Sequence, residues 1–558
     1  MNIINNIFKN NILNYNIAIS YADHKVSYNE LKNRIIHTSY FLQENGIKKN
    51  DVVAILLPRG IDFVVTIMSL FYLGATAVPL DINTPKERLS LILKDVNHVI
   101  GNEIANIPCI VFLTNHEPFL SFEPENVSQY DVAYIVYTSG STGIPKKIEI
   151  SYVALFKYCN NLNSSIGVSK DDIYAFTASI GFSSMFRQIF IPLLNLAELL
   201  IMTDEERTDP ALFIKKACGA TIIDLIPSFY DSLCIYLERK ELSDIFRSSK
   251  IRLSLSASEP LKVETLKKII KNLPQSKFVN MYGLTETCGI VTTFPVDTNL
   301  VEQSVEYYVP IGTPLPETIT KLNDDGELLV KSSVISPNVI LEGGYYNTGD
   351  LMKLDANGNL IYISRNDRQI KISGKRINLV EIDRNIELHP IIDKSVSIFD
   401  DHSKKIITYV KINCNIDNMH QVLKEHAKNI LIPAMMPSEF HAIDEFPLTS
   451  SRKLDYRQLI ILYENMVLAR TKPTNNVLAW NKWEKLIYES FSEQLQKFDL
   501  NATDNLFDIG ADSLKMAMAM AKVTNELGID IRLNDVIANP TIKDLAILIN
   551  KQIEIISS

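Results

Sequence analysis

The chain contains 558 residues, of which 46% are hydrophobic and 22% are charged, and its formal net charge at pH 7 is −9. This length predicts more than one hydrophobic core, and the composition is typical of a globular protein and excludes a disordered or fibrous one. The acidic balance disfavours nucleic acid and anionic membranes as partners. The 6 cysteines form no C-x-x-C pair and the 9 histidines lack metal-ligand spacing, which argues against a structural zinc site. Because we find no signal-peptide pattern and no long uninterrupted apolar run, we expect a cytoplasmic protein without a membrane span.

The first two thirds of the chain alternate between strand-like and helix-like segments. Short β-branched runs such as DVVAILL (51–57) and ATAVPL (75–80) are separated by helical stretches such as IDFVVTIMSLFYLG (61–74). Such alternation is typical of α/β layers with parallel sheets. We therefore assign residues 1–366 to a large α/β domain.

Beyond residue 366 the pattern changes twice. Residues 367–463 combine short strands such as IITYVKI with the helical HQVLKEHAKNIL, which predicts a small α+β domain. Residues 464–475 form a linker in this interpretation. Residues 476–558 contain only helical patterns, with Gly528 and Pro540 as stop signals, and predict an acidic four-helix bundle.

The first chemical motif is YTSGSTGIPKK, residues 137–147, which follows the strand-like AYIV. Hydroxyls and free backbone N–H groups can surround phosphate oxygens, and a lysine adds a positive charge. The spacing is not that of a Walker loop, G-x-x-x-x-G-K-[ST]. Taken alone, a Ser/Thr/Gly cluster is more often a solvent loop.

The whole string, however, closely resembles the phosphate-binding signature of acyl-adenylate-forming enzymes. This superfamily contains acyl-CoA ligases, luciferases and the adenylation domains of nonribosomal peptide synthetases. Four further strings resemble the family's motifs and follow in its order: NMYGLTET (280–287), YNTGDL (346–351), SRNDRQIKISGKRINLVEID (364–383) and PLTSSRKLDYRQL (447–459). Each string alone has a plain structural interpretation, such as a turn or a core aromatic, but their common order favours the family.

The resemblance implies a site for ATP and magnesium. Tyr282 would stack on adenine, Asp350 would accept hydrogen bonds from the ribose hydroxyls, and Arg365 would lie near the nucleotide. Glu286 would help to hold Mg²⁺, and Lys453 would be the catalytic lysine. The residues implied for phosphate binding are Thr138, Ser139, Gly140, Ser141, Thr142, Gly143 and Lys146.

The chemistry explains why such residue types are needed. A carboxylate is a poor acyl donor because its leaving group would be oxide, so ATP first converts it to an acyl-adenylate and pyrophosphate departs. Positive charge near the phosphates offsets the repulsion between two anionic reactants. The resemblance further implies that the small domain then rotates about Asp367, which withdraws Lys453 and presents a hairpin at residues 371–374 to a thiol donor.

A second resemblance explains the C-terminal helices. DNLFDIGADSLKM (504–516) resembles the attachment motif of peptidyl carrier proteins, which carry 4′-phosphopantetheine on the serine. In isolation Ser513 is more simply a helix cap, although a helix start also suits the negative phosphodiester. Its position after an adenylating pair of domains favours modification by a phosphopantetheinyl transferase. Acidic helices suit docking to downstream condensation or tailoring enzymes.

The sequence departs from the family pattern in the substrate pocket. Where an aspartate usually follows an aromatic residue and holds the α-ammonium group, this chain has Ser183 after Phe182. A neutral hydroxyl cannot compensate a buried ammonium, so an ordinary α-amino acid is not expected, and a β-amino or other non-standard acid is favoured. Asp224 either anchors a displaced amine or pairs with Arg187. The aligned pocket residues are Phe182, Ser183, Ser184, Arg187, Asp224, Leu255, Ala257, Met281, Gly289 and Ile290.

The resulting prediction is a ligase that activates a small carboxylic or amino acid as acyl-AMP and then loads it on its own carrier domain. An acyl-CoA ligase or an aryl-acid-activating enzyme is the alternative. A fused carrier with a G-x-D-S-L serine favours the first interpretation, because a CoA ligase has no need of it.

Overall fold

The computed structural model describes most of the chain, and the predicted site residues Ser139, Gly140, Ser141, Thr142, Gly143, Asp367 and Lys453 lie outside the described residues. The described residues are 3–8, 16–101, 110, 123–128, 130–138, 145–298, 301, 306–366, 368–372, 374–401, 403–413, 418–447, 454–470, 480–495, 497, 500–507, 509, 511, 513–529 and 531–557. Only the backbone is described for residues 468–470, 513–514 and 555–557. Within these ranges, none of the helices combines the length and the hydropathy that a membrane span requires.

Two mostly parallel sheets form the large α/β region. The first has the strand order β5-β3-β4-β6-β7, in which only β7 runs antiparallel to its neighbour. Strands β3 and β4 are almost wholly buried, as expected where helices cover both faces of a parallel sheet. The strands are β3 Val52–Leu56, β4 Thr76–Pro79, β5 His98–Gly101, β6 Val132–Thr138 and β7 Lys146–Ser151.

The second sheet has the order β14-β13-β12-β11-β10-β8-β9-β1-β2, with a parallel centre and antiparallel edges. Asp224 is in register with Leu255, and Leu255 with Val279, so the carboxyl ends of β10, β11 and β12 meet at one edge. The strands are β1 Ile17–Tyr21, β2 His24–Ser27, β8 Ile173–Phe176, β9 Glu198–Ile201, β10 Ile222–Leu225, β11 Leu253–Ser256, β12 Lys277–Leu284, β13 Gly289–Pro295 and β14 Thr313–Pro314.

Helices α2, α5 and α7 begin at residues whose side chains accept hydrogen bonds from the first turn. Ser151 accepts a hydrogen bond from Ala154 N at the start of α5, and Asp209 caps α7 directly before a proline at its first position. The helices of the large region are α1 Ile3–Phe8, α2 Tyr28–Glu44, α3 Ile61–Tyr72, α4 Lys86–Ile92, α5 Tyr152–Ile166, α6 Ser183–Leu194, α7 Pro210–Ala217, α8 Pro227–Tyr236, α9 Lys240–Arg247 and α10 Val263–Asn272. Short 3₁₀ turns occur at Leu93–Asp95 and Thr285–Thr287.

An antiparallel four-stranded sheet follows and carries part of the site. Its order is β15-β16-β17-β18, with neighbours consecutive in the chain, as in a meander. The strands are β15 Thr318–Leu322, β16 Glu327–Ser332, β17 Tyr346–Leu354 and β18 Leu360–Arg365.

The small α+β region has its own hydrophobic core, which includes Ile377, Ile382, Val410 and Leu423. Helix α13, Tyr456–Arg470, extends seven residues into the predicted linker. The predicted domain boundaries stay predictions. The elements are β19 Gln369–Ile372, β20 Lys375–Asn378, α11 Leu379–Glu387, β21 Ile392–Asp400, β22 Lys405–Ile412, α12 Met419–Ile430, the 3₁₀ turn Pro433–Met435, β23 Glu439–Ala442 and α13 Tyr456–Arg470.

The C-terminal region is helical and forms a separate core around residues such as Phe491, Met516 and Leu545. Its helices are α14 Lys482–Leu495, α15 Ser513–Leu527, α16 Leu533–Ala538 and α17 Ile542–Ser557. Together with the parallel sheets and the small α+β region, these four helices confirm the predicted fold class.

The helical region is seated on the large region. Tyr236 Oη on α8 donates a hydrogen bond to Ala517 O at 3.1 Å. Leu533 N, at the start of α16, donates to Asp209 Oδ2 at 3.2 Å. Ala521 packs into the hydrophobic core of the large region. These contacts place the middle of α15 and the start of α16 against the large region.

Candidate active site

Asp350 lies in the antiparallel four-stranded sheet, whereas Glu286, the other predicted carboxylate, lies in the 3₁₀ turn after β12. Asp350 in β17 is directly opposite Arg365 in β18, and Arg365 Nη1 donates to Asp350 Oδ1 at 2.6 Å. Tyr282 Oη, from β12, donates to Asp350 Oδ2 at 2.5 Å. Burial and the adjacent Asp350 carboxylate raise the pKa of Tyr282, so its phenol stays a donor. The structure thus brings three of the predicted nucleotide residues together in a buried cluster.

Glu286 lies in the 3₁₀ turn that follows β12, and its side chain is 3% exposed. Arg376 Nη1 lies 3.0 Å from Glu286 Oε1 and 2.9 Å from Oε2. Lys146 Nζ lies 3.9 Å from the same carboxylate. The sequence comparison did not single out Arg376, although it is part of the quoted junction motif (364–383).

The described ends of the phosphate loop lie next to each other. Thr138 ends β6, Lys146 begins β7, and the two residues are register partners in this antiparallel pair. Lys146, the first residue of β7, therefore lies beside the Glu286 carboxylate. A single carboxylate suits Mg²⁺, since this ion usually binds one or two protein carboxylates together with substrate phosphates and water. Among the described residues no group of three or more His, Cys, Asp or Glu is arranged to hold a metal by itself.

The alternatives for Asp224 are resolved by its contacts. Arg187 Nε and Nη2 donate to the two carboxylate oxygens of Asp224, each at 2.8 Å, and Tyr174 Oη donates to Oδ2 at 2.9 Å. Both charged side chains are buried, with 6% and 1% of their surfaces exposed. Burial alone would lower the pKa of Arg187, but the carboxylate raises it, so the guanidinium stays charged. Asp224 is therefore the internal partner of Arg187 in this conformation.

A small cavity of about 100 Å³ lies next to this pair. Ser183 and Thr285 line it, and their hydroxyl oxygens are 3.2 Å apart. Of the predicted pocket residues, the cavity is lined by Phe182, Ser183, Ser184, Arg187, Gly289 and Ile290. Leu255, Ala257 and Met281 are buried in the hydrophobic core instead. Their role in the pocket stays a prediction.

The hairpin formed by β19 and β20 reaches into the site. Gly374 N donates to Glu259 Oε1 at 2.6 Å. Gly374 has φ +73°, and a Cβ atom at this position would lie 2.8 Å from Ile226 Cγ2. Lys371 Nζ lies 5.4 Å from the ring centre of Tyr282, and burial lowers the pKa of this lysine. The hairpin that the resemblance assigned to thiol presentation is therefore seated next to the nucleotide residues.

A larger cavity of about 640 Å³ connects this hairpin with the helical region. Arg187, Asp224 and Gly374 all line it. Phe507, Ala511 and Lys515, which flank the start of α15 at Ser513, also line it. The cavity therefore joins the substrate pocket to the neighbourhood of the predicted attachment serine.

Comparisons with known families agree with this geometry. Residues 14–336 match the family described as AMP-binding enzyme, and residues 485–549 match the phosphopantetheine attachment site. Because the first match covers more than half of the chain, the protein belongs to the AMP-binding enzyme family. The predicted resemblance is confirmed, and ATP and 4′-phosphopantetheine are the cofactors that the two matched families use.

Similar proteins are larger synthetases or adenylation–carrier proteins. Malpibaldin synthetase of Mortierella alpina is 27% identical over 576 residues, which cover 95% of this chain and 10% of that protein. The dimodular nonribosomal peptide synthase of Bacillus subtilis (strain 168) is 26% identical over 587 residues, with coverage of 95% and 24%. The chain thus spans less than a quarter of the length of these two relatives. A solved NRPS protein containing adenylation and PCP domains, in its holo form with a vinylsulfonamide inhibitor, has TM-score 0.79 and 19% identity over 96% of this chain and 94% of that one.

Proposed function

We propose that this protein activates a small carboxylic acid with ATP as an acyl-adenylate and then transfers the acyl group to a phosphopantetheine thiol on Ser513. The observation that carries this proposal is the cavity of about 640 Å³ between the Arg187–Asp224 pair and the start of α15. A thiol on a flexible arm needs such a passage to reach an acyl group in the pocket. The protein acts in nonribosomal peptide-type biosynthesis.

In the adenylation step, Asp350 accepts hydrogen bonds from the ribose hydroxyls, and Tyr282 packs against adenine. Glu286 would hold Mg²⁺, which would offset phosphate charge, while the loop from Thr138 to Lys146 binds the phosphates. Lys453 supplies a further positive charge, which stabilises the pentacoordinate transition state at phosphorus. The small region then turns about Asp367, so that Lys453 leaves and the hairpin at Gly374 enters.

The substrate is a non-standard acid rather than an ordinary α-amino acid. Ser183 and Thr285 present neutral hydroxyls to the small cavity, and the charge of Asp224 is already compensated by Arg187. A buried ammonium group would lack a carboxylate of its own in these surroundings. A β-amino acid would have to compete with Arg187 for Asp224, so the pairing favours acids without an amine, such as hydroxy or aryl acids.

The carrier region implies two kinds of protein partner. A phosphopantetheinyl transferase must modify Ser513, and downstream condensation or tailoring enzymes must accept the thioester, since a loaded carrier is an intermediate. We place these steps in the cytoplasm, where ATP and coenzyme A are available.

Intact-protein mass spectrometry tests the proposal. The pantetheinylated protein is incubated with ATP, Mg²⁺ and a panel of α-amino, β-amino, hydroxy and aryl acids, with Ser513→Ala as the control that cannot be loaded. We expect one of the acids without an amine to add its acyl mass at Ser513. Best loading by proteinogenic α-amino acids would contradict the substrate proposal. In a parallel incubation that also contains coenzyme A, release of acyl-CoA without a mass shift would instead identify an acyl-CoA ligase.

A further inference from the structure

The most unusual feature of the site is the partner of Glu286. This carboxylate is almost fully buried, and a buried carboxylate requires a positive charge or several hydrogen-bond donors. Arg376 meets the requirement with one guanidinium nitrogen within 3.0 Å of both oxygens. The two residues are 90 positions apart and belong to the large region and to the hairpin of the small region.

Arg376 is held in this position by the same network that seats the hairpin. Gln369 Oε1, on the neighbouring strand, accepts hydrogen bonds from both Arg376 and Arg365. Arg365 in turn binds Asp350. A continuous chain of contacts therefore links the two carboxylates of the large region through the hairpin. The guanidinium can reach Glu286 only when the hairpin is seated.

The proposed function assigns the same carboxylate to Mg²⁺. Mg²⁺ binds carboxylate oxygens at about 2.0–2.1 Å and requires nearly ideal geometry. A guanidinium that already contacts both oxygens of Glu286 blocks that approach, and the two cations repel each other. Magnesium and the seated hairpin are therefore alternative partners of one carboxylate.

We propose that Arg376 is a positioning residue that replaces Mg²⁺ on Glu286 when the hairpin enters the site, so that departure of the metal with pyrophosphate favours the thiol-transfer arrangement. This inference rests on the proposed function. No covalent bond changes in the exchange. The metal leaves bound to pyrophosphate, and the guanidinium neutralises the carboxylate that remains.

Hydrogen–deuterium exchange on the intact holo-protein tests the competition without any catalysis. The amides of Gln369–Ile372 and Lys375–Asn378 are followed while Mg²⁺ is added in the absence of nucleotide, against KCl of equal ionic strength. We expect Mg²⁺, but not KCl, to speed exchange in these two strands. Exchange that does not respond to Mg²⁺ in the wild-type protein would overturn the inference, even if acyl loading proceeds as proposed.

Substitutions supply the second readout. Arg376→Met keeps much of the side-chain length but removes the charge, and the exposed Arg384 on α11 provides the matched control Arg384→Met. In Arg376→Met we expect fast exchange of the hairpin with or without Mg²⁺, and loading of the carrier thiol slower by roughly tenfold or more relative to adenylation. Arg376→Lys should recover part of the Mg²⁺ response, because it restores the charge but not the planar fork.

Two outcomes separate this inference from the proposed function. If no acid loads the wild-type protein but the hairpin responds to Mg²⁺ as expected, the proposed function fails and the exchange of partners at Glu286 stands. If loading proceeds and Arg376→Met loads at the wild-type rate, the function stands and the role of Arg376 is refuted. Pyrophosphate exchange and thermal unfolding of each variant show that the large region is folded.

Discussion

Arg187 and Asp224 form a buried two-point ion pair at the junction of the two cavities, with both hydrogen bonds at 2.8 Å. Both residues line the larger cavity, and Arg187 also lines the smaller one. A residue pair in this position determines the charge that a substrate meets. Because the two side chains neutralise each other, the pocket offers a substrate no net charge at this point.

The pair itself can be tested by a double-mutant cycle. Asp224→Leu or Arg187→Met alone should lower the free energy of unfolding by about 3–5 kcal/mol, because each leaves one buried charge without its partner. The double variant should recover much of that loss. Denaturant unfolding measures all four proteins. Strictly additive effects of the two substitutions would show that the pair is not coupled.

Gly374 is expected to be essential for thiol transfer. Gly374→Ala would bring a Cβ atom to 2.8 Å from Ile226 Cγ2 and would strain a backbone with φ +73°. We expect slower loading of Ser513 relative to adenylation, measured as acyl mass gain against pyrophosphate exchange. Gly358→Ala is the matched control, because Gly358 has φ +79° and no heavy atom within 4 Å of a Cβ. If the ratio of loading to pyrophosphate exchange falls equally in both variants, backbone strain and not the contact with Ile226 is responsible. An unchanged ratio in Gly374→Ala would contradict the prediction.

Asp209 joins two helices of different regions. Its Oδ1 accepts from Ala211 N and Leu212 N in α7, while its Oδ2 accepts from Leu533 N in α16. Asp209→Ala should remove both contacts, cost about 1 kcal/mol of stability from the lost cap, and slow self-loading. Asp209→Ser keeps a capping oxygen for α7, so it should slow loading with little loss of stability. Wild-type loading by the Ser variant would contradict a role of Asp209 in seating the carrier region.

Ser258 has a left-handed backbone at the edge of both cavities, with φ +76°. A non-glycine residue in this region stores of order 1 kcal/mol or more of strain. Ser258→Gly should therefore raise the free energy of unfolding by up to about 1 kcal/mol. Ser256→Gly, two residues earlier in the extended strand β11, should lower it instead. Thermal unfolding of the two variants distinguishes them, and shifts of the same sign would refute the strain argument.

The sequence by itself determined the class of protein and the order of its parts. Motifs such as YTSGSTGIPKK and GADSL are short and depend on local backbone chemistry, so they can be recognised without knowing their neighbours in space. The alternation of strands and helices likewise predicted parallel sheets, and the helical C-terminal pattern predicted the carrier bundle. These features depend on residues within one element or one loop.

Only the tertiary structure decided how distant side chains are paired. Arg187 and Asp224 are 37 residues apart, and they meet because the fold brings α6 to β10, where Gln188 also donates to Asp224 O. Arg376 reaches Glu286 across 90 residues only because the hairpin is seated on the large region. No local pattern specifies such pairs, since each charged side chain had several possible partners in the sequence. The choice among them follows from packing, which places one counter-charge within hydrogen-bonding distance and buries both groups away from water.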